Sequence, residues 1–459
     1  MSNSEQNILI DLTKDNLIFH QLVFPIEGKT AADLIDAFKR NSDLIIYQSK
    51  PSESTEYLAI GKLFQFELDD KNISTLDDMI LNFRNNVSAG ETIENIPLFF
   101  GYCKFPSLTK EKTWKNFTEN FWIIPQYLIF KSKTFHDKEE KLYCVQNFLS
   151  SMPNDEMKKI AFAESQKFIK KIVNDTLLLK KENVSIVKTS DNDSSIWKQK
   201  VSDAIEEIKE NKLQKIVLAR KVEYEISGTV IWSDIFEKLN SDYPDCFNFL
   251  VKSGGDYFFG SSPELLGKFE KDIFKTEALA GSINRGSDEN EDSDLALLLS
   301  ASRKNKKEHD IVIDHLIENL NNHLFNIEID KTPLIKRLKN IQHLQTKISG
   351  RLKDNLKYFN VINSIFPTPA ICGIPTRQTL NNLKTLEAFD RGLYSGIVGA
   401  FNLSGEAEFY VAIRSALISE NKLTAFAGCG IVEESNPGEE YTETELKLQP
   451  IISLFSNEN

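Results

Sequence analysis

Little in these 459 residues suits a secreted, membrane-spanning or zinc-bound protein: there are only five cysteines and six histidines. Cys103, Cys144, Cys246, Cys372 and Cys429 are odd in number, far apart and without a CxxC pair. They are expected to be reduced structural thiols of a cytoplasmic protein, not a disulfide frame or a zinc site. The histidines form no cluster at ligand spacing. No apolar run approaches the ~20 residues needed to span a bilayer. The opening "MSNSEQNILIDLTKDN" has no basic segment followed by a long apolar stretch, so no signal peptide is expected. No GxGxxG or GxxxxGK[ST] opens a helix after a strand, and a nucleotide cofactor is not indicated. Positive charge is also short: 55 basic against 67 acidic residues leave a formal net charge of −12. That argues against nucleic acid or an anionic membrane as partner. A small anionic substrate stays compatible, because a pocket can be locally positive.

What is present is ordinary globular material, 41% hydrophobic and 27% charged. Length alone, at about 150 residues per domain, would allow roughly three domains. "NLIFHQLVF" and "NFWIIPQYLIF" are aromatic and β-branched and predict strands. "DEMKKIAFAESQKFIKKIV" and "IWKQKVSDAIEEIKEN" have helical apolar spacing. Between them the polar, turn-rich "KKENVSIVKTSDNDSS" is a candidate boundary near residues 180–195. Thereafter short strands crowd together: "CFNFLV", "DYFFG", "LLGKF", "DIFKTEAL", "GIVGAFNL", "AEFYVAIRSALI" and "KLTAFAGCGIV". The helix "EHDIVIDHLIENLNNHL" falls among them. The expected fold is α+β (mixed α/β), with a large, mostly antiparallel sheet and helices packed outside.

Six stretches carry candidate chemistry. In "LQKIVLAR" a strand places Lys215, Val217 and Ala219 on one face. A strand-end lysine can simply lay its stem on apolar surface and reach water. In "AFAGCGIVEESNPGEEYTETELK" a strand ends in Gly428 and Gly430, which permit close approach to the backbone. Asn436 then caps a helix with Pro437 in its first position. Glu440, Glu443 and Lys447 follow at offsets of three and four and share a face. Two carboxylates a turn apart suit a hard divalent cation, or else a solvated acidic helix end. Glu308 opens a helix with an apolar opposite face and alone would be a dipole partner. His309 is expected at the surface or behind the site. Glu264, in the turn "SSPE", is an exposed carboxylate or, if buried, a general acid. In "TEALAGS" a strand is expected to end where Ala280, Gly281 and Ser282 offer donors. Arg414, within the apolar strand "FYVAIRSALI", needs an anionic partner, either structural or a substrate carboxylate.

In this order, "KIVLAR … GSSPELL … TEALAGS … KNKKEHDIV … HLQTKISG … PTPAICGIPT … FDRGLYSGIVGAF … FYVAIRSALI … AGCGIVEESNPGEEYTETELK" closely resembles the chorismate-utilising enzymes. These include isochorismate synthases, salicylate synthases, and the large subunits of anthranilate and aminodeoxychorismate synthases. The match covers roughly residues 197–455. The organisation it implies is a loosely matched portion, 1–190, and a catalytic portion, 191–455, joined in one integrated domain. "PLFFGYCKF" keeps only Gly101 where the family often has a glycine pair.

The resemblance implies Mg²⁺ as cofactor, with Glu308 and Glu443 as ligands and Glu440 beside the metal. It implies that Arg414 and Tyr394 hold the enolpyruvyl carboxylate of chorismate. Gly428 and Gly430 would approach the substrate, Gly281 and Ser282 would lie near its ring, and Lys447 belongs to the metal-binding helix. Glu264 matches the acid that protonates the departing C4 hydroxyl. Asn305 departs from subfamilies with an acid three residues before the metal-binding glutamate. Lys215 matches the lysine of the water-using branches, where it is the general base. Burial favours the neutral amine such a base requires. The activity implied is isomerisation of chorismate to isochorismate, for menaquinone or siderophore synthesis. Salicylate synthase is the nearest alternative, although "HLQTKISG" looks more like the isochorismate synthases. An ammonia-using component is further off, since Lys215 argues against it. A non-catalytic relative would have lost a metal carboxylate or the acid. No amidotransferase subunit is expected, and the chain would act as a monomer or homodimer.

Overall fold

The apolar runs become strands because most are covered on both faces, so their sequences are nearly continuous in hydrophobic residues. A computed structural model describes residues 17–26, 30–69, 72–89, 96–133, 140–150, 155–176, 184–191, 194–354 and 357–455. Among these, two sheets of 13 and 10 strands are stacked with helices outside them. All described strand pairs are antiparallel except Leu17–Ile26 with Val87–Ala89. No helix among the described residues is long and apolar enough to cross a membrane.

Side-chain alternation sorts the core into layers. On the Leu44–Lys50 strand, Ile45 and Tyr47 face a helix-covered core that includes Phe38, Phe236 and Ile451. Ile46, between them, joins the core between the sheets, with Phe100, Phe249, Phe258, Val398 and Tyr410. On the second sheet Phe99 and Phe401 stack at 4.7 Å in a core with Ile80, Leu316 and Ile362.

Both sheets are woven from distant parts of the chain. Leu44–Lys50 pairs with Phe247–Ser253 in the larger sheet, and Phe99–Cys103 with Ile397–Phe401 in the smaller. Within the stretch expected to be a boundary, Ser185–Asp191 is an edge strand on Lys215–Ser227. Residues 180–183 and 192–193 of that stretch lie outside the described residues.

Two details differ from the expected elements. "AEFYVAIRSALI" is two strands, Glu406–Val411 and Ser415–Ser419, which belong to different sheets. Arg414, at the crossing, takes a left-handed φ of 50°. The strand through "TEALAGS" does not end there. It runs from Ile273 to Asn284 and bulges at Gly281, whose φ of 75° glycine tolerates freely.

Candidate active site

The chain crosses between the sheets at Pro263–Glu264 and again at Ala412–Arg414. Each crossing delivers a charged side chain to the same pocket. The pocket is completed by Val217, Gly281, Ser282, Glu308, His343, Tyr394, Gly428, Gly430 and Lys447.

Lys215 begins the Lys215–Ser227 strand and is fully buried. Its ammonium lies 3.1 Å from Glu308 Oε1, but this ionic contact lacks hydrogen-bond geometry, and Nζ has no hydrogen-bond partner in the structure. The opposite strand, Lys422–Ile431, sets Gly430 against Val217 and Gly428 against Ala219. A methyl group on Gly430 would lie 2.1 Å from Glu308 Oε1 and 2.9 Å from Lys215 Cε. One on Gly428 would lie 3.0 Å from Tyr394 Oη. The glycines therefore leave room for the Glu308, Lys215 and Tyr394 side chains.

Among the described residues, the middle of the Lys215–Ser227 strand has no neighbouring strand on its other edge. A buried ion pair seals it: Arg391 Nη2 donates to Val217 O at 2.8 Å, and Ala219 N donates to Glu387 Oε1 at 2.7 Å. Backbone groups that would otherwise be orphaned are thereby satisfied.

Glu264 is not the exposed turn carboxylate its local sequence favours; it is 5% exposed. Burial, and then the charge of Glu277, push its carboxyl up to about 7, against the opposing pull of Lys215, Lys336 and Lys447. A carboxyl in that range can donate a proton near neutral pH.

Arg414 is buried, and its Nη2 donates to His343 Nε2 at 2.9 Å. A guanidinium only donates, so Nε2 must be the accepting nitrogen of a neutral ring. Burial and then Arg414 hold His343 well below its ordinary pKa. Its other nitrogen, Nδ1, lies 3.2 Å from Gly281 O and 3.1 Å from Ser282 Oγ. Tyr394 stacks on Phe426 at 5.2 Å.

The Pro437–Ile452 helix starts as expected, with the Asn436 side chain accepting from Gly438 N and Glu439 N. Glu440 is nearly inaccessible, paired with Lys304 through one oxygen, while its buried Oε2 has no hydrogen-bond partner. Burial and the neighbouring Glu443 charge raise its pKa. Burial opposes ionisation of Glu443 too, but Lys447, 2.6 Å away, holds its carboxyl below the usual range. Lys447 also donates to Gly428 O at 3.0 Å. Among the described residues no three His, Cys, Asp or Glu side chains stand at ligand spacing. The donor chemistry nonetheless suits a hard divalent cation: crowded carboxylates and one orphaned buried oxygen. Such an ion needs few protein ligands when substrate oxygens complete its shell.

Every expected site residue except Lys215 and the pair Glu440 and Glu443 lines the pocket directly. Lys215 and Glu443 reach it through Glu308 and Lys447, and Glu440 lies beside them on the Glu443 helix. His343, Lys304 and the Glu387–Arg391 pair were not singled out in the sequence. His343 sits opposite Ser282, so a histidine facing the bulged strand was the available signal. His309 is not at the surface; it is fully buried and bonded to Thr346 Oγ1 at 2.8 Å.

A profile of the chorismate binding enzymes matches residues 7–456. The chain belongs to the chorismate-binding enzyme family. Within that family it is similar to the isochorismate synthase MenF of Bacillus subtilis (strain 168), with 28% identity over 90% of this chain and 88% of that protein. It is also similar to anthranilate synthase component 1 of Saccharolobus solfataricus, with 35% identity over 55% of this chain and 60% of that protein. The solved structure of the menaquinone-specific isochorismate synthase MenF from Escherichia coli superposes with a TM-score of 0.76 at 22% identity, over 97% of each chain. The fold is therefore that of the chorismate-binding enzymes. The similarity to the isochorismate synthase runs over nearly the whole chain, whereas that to the anthranilate synthase covers about half of it.

Proposed function

We propose that this chain isomerises chorismate to isochorismate. The observation that carries this reading is Lys215: a fully buried amine whose nitrogen has no hydrogen-bond partner among the described residues, near enough to a buried acid, Glu264, to act on its ionisation. One group can take a proton from water attacking C2. The other can give a proton to the oxygen leaving C4, as the ring double bonds shift. Glu264 suits the donor role because burial keeps part of it protonated near neutral pH. Arg414, held by a neutral imidazole and not by a carboxylate, keeps its charge for a substrate carboxylate. Tyr394 flanks the same end of the pocket. Gly281 and Ser282 border the ring, and the bulge turns their polar groups inward.

Glu308 and Glu443, with Glu440 beside them, would hold Mg²⁺. The ion would neutralise the ring carboxylate and draw electron density from the ring. Lys447 ties the helix of Glu443 to Gly428, and so fixes the metal-side wall against the substrate-side wall. Arg414 and Lys447, with the metal bound, give this acidic protein a locally positive pocket for a dianion. The similarity to the Bacillus subtilis isochorismate synthase over nearly the full chain supports the same reading.

Incubation of the protein with chorismate and Mg²⁺, followed by product identification, tests this. Isochorismate alone is the expected product. Salicylate with pyruvate would place the chain among the salicylate synthases, and anthranilate formed only with ammonia would overturn water as nucleophile.

A further inference from the structure

Pro263 and Leu265, the residues on either side of Glu264, are both gripped by one ion pair from elsewhere in the sheet. Lys336 Nζ donates to Pro263 O at 2.5 Å and to Glu277 Oε1 at 2.7 Å. The same Glu277 oxygen accepts from Leu265 N at 3.2 Å. Gln345 donates to the other Glu277 oxygen. Lys336, Glu277 and Gln345 lie on three strands, Leu334–Arg337, Ile273–Asn284 and Ile341–Leu352, of which the last pairs with both others. The Glu264 backbone is further tied by Ser262 Oγ accepting from its N–H at 3.2 Å and by its carbonyl accepting from Val411 N at 3.1 Å.

We propose that Glu277 and Lys336 are positioning residues for Glu264, a clamp that grips the chain on both sides of it and sets the orientation and charge environment of its carboxyl. The inference rests on the reading of Glu264 as the acid. A two-residue crossing between sheets has no ladder of its own, so its carbonyl and amide need partners from side chains. An ion pair supplies both a donor and an acceptor, and its two charges act on Glu264 in opposite senses. Glu277 disfavours the ionised carboxylate and Lys336 favours it. Lys215 and Lys447 also act on Glu264, and both favour ionisation, while Glu308, His343 and Arg414 line the same pocket.

The test is the pH profile of chorismate turnover for the wild type, Glu277→Gln, Lys336→Met and Lys336→Arg, with Glu264→Gln alongside. A general acid gives a limb on which kcat falls as pH rises. Glu277→Gln keeps an acceptor for Leu265 N but removes the negative charge, so this limb should move to lower pH by about one unit. Lys336→Met should move it about one unit higher, and Lys336→Arg should return it toward the wild type. In Glu277→Gln and Lys336→Met kcat should fall about tenfold with KM within about twofold, the mark of lost transition-state positioning. Limbs that stay in place, shift the same way in both variants, or a loss confined to KM would overturn the clamp. If Glu264→Gln turns chorismate over at the wild-type rate, the acid reading fails first and the clamp with it. An inactive Glu264→Gln with unmoved limbs sinks the clamp alone. Lys336 is partly exposed on a short strand, so its two variants test the idea even if Glu277→Gln does not fold.

Discussion

Lys215 shows how a single side chain takes its meaning from its surroundings. Strand alternation already placed it with Val217 and Ala219, and the structure keeps that face: Val217 lines the pocket and Ala219 joins the core between the sheets. The depth of its burial was not legible, because Glu308 and Gly430, which enclose its stem, come from elements about 93 and 215 residues away in sequence. Lys215→Ala should cut kcat roughly 100- to 10,000-fold while leaving the thermal transition in place; near wild-type turnover would remove it from the mechanism. Glu264 carries two linked expectations. As the acid it must be protonated, so activity should decline as pH rises through about 7. For stability, the folded value lies above the usual 4.5, so its contribution is full at pH values below 4.5 and is lost as pH rises through about 7. Glu264→Gln should therefore be inactive, yet more stable than the wild type above neutral pH by about 1–3 kcal/mol, with no such gain in acid. Thermal melts at the two pH extremes check this sign. His343, unlike Lys215, was not singled out in the sequence. A lone histidine in a strand as polar as Ile341–Leu352 carries no chemical signal of its own, and the guanidinium at 2.9 Å reveals its task.

At the scale of elements, the sequence speaks clearly where local rules act. The Asn436 cap and Pro437 start of the last helix were legible because a cap is a contact across three residues. The break at Ala412–Arg414 was not, since a run buried on both faces shows no period that could change at the crossing. Asn436→Ala should cost about 1 kcal/mol of stability, read as a lower melting temperature. It should also raise the Mg²⁺ needed for half-maximal turnover, because Glu440 and Glu443 sit in the first two turns of that helix. The facing strand is more demanding. Gly430→Ala puts a methyl group 2.1 Å from Glu308 Oε1, so turnover should fall at least about 100-fold. Gly255→Ala, where an added methyl meets nothing within 4 Å, is the matched control and should keep wild-type turnover. Equal activity in the two would mean that Glu308 can leave its place without consequence.

At the scale of the whole molecule, the two halves of the chain cannot be read apart. The turn-rich stretch near 180–195 looks like a seam in the sequence, since composition changes there and strands become denser beyond it. Yet Ile46, Phe100, Ile123 and Leu128 from the first half pack with Phe249, Phe258, Val398 and Phe426 from the second. Pairings such as Leu250 with Tyr47, about 200 residues apart, leave no local trace for a reader of the sequence. The site inherits this dependence: the Ile397–Phe401 strand, just after Tyr394, pairs with Phe99–Cys103 on one side. A chain beginning at Ser194 would expose the bare edges of Phe247–Ser253 and Ile397–Phe401 together with the aromatic face between the sheets. Unpaired edges beside exposed apolar surface favour association over folding. This fragment, although it holds every catalytic candidate, should be insoluble or lack a cooperative melt, and co-expression with residues 1–193 should restore both solubility and turnover. A cooperative, active fragment on its own would show that the catalytic half needs the other only as a cover.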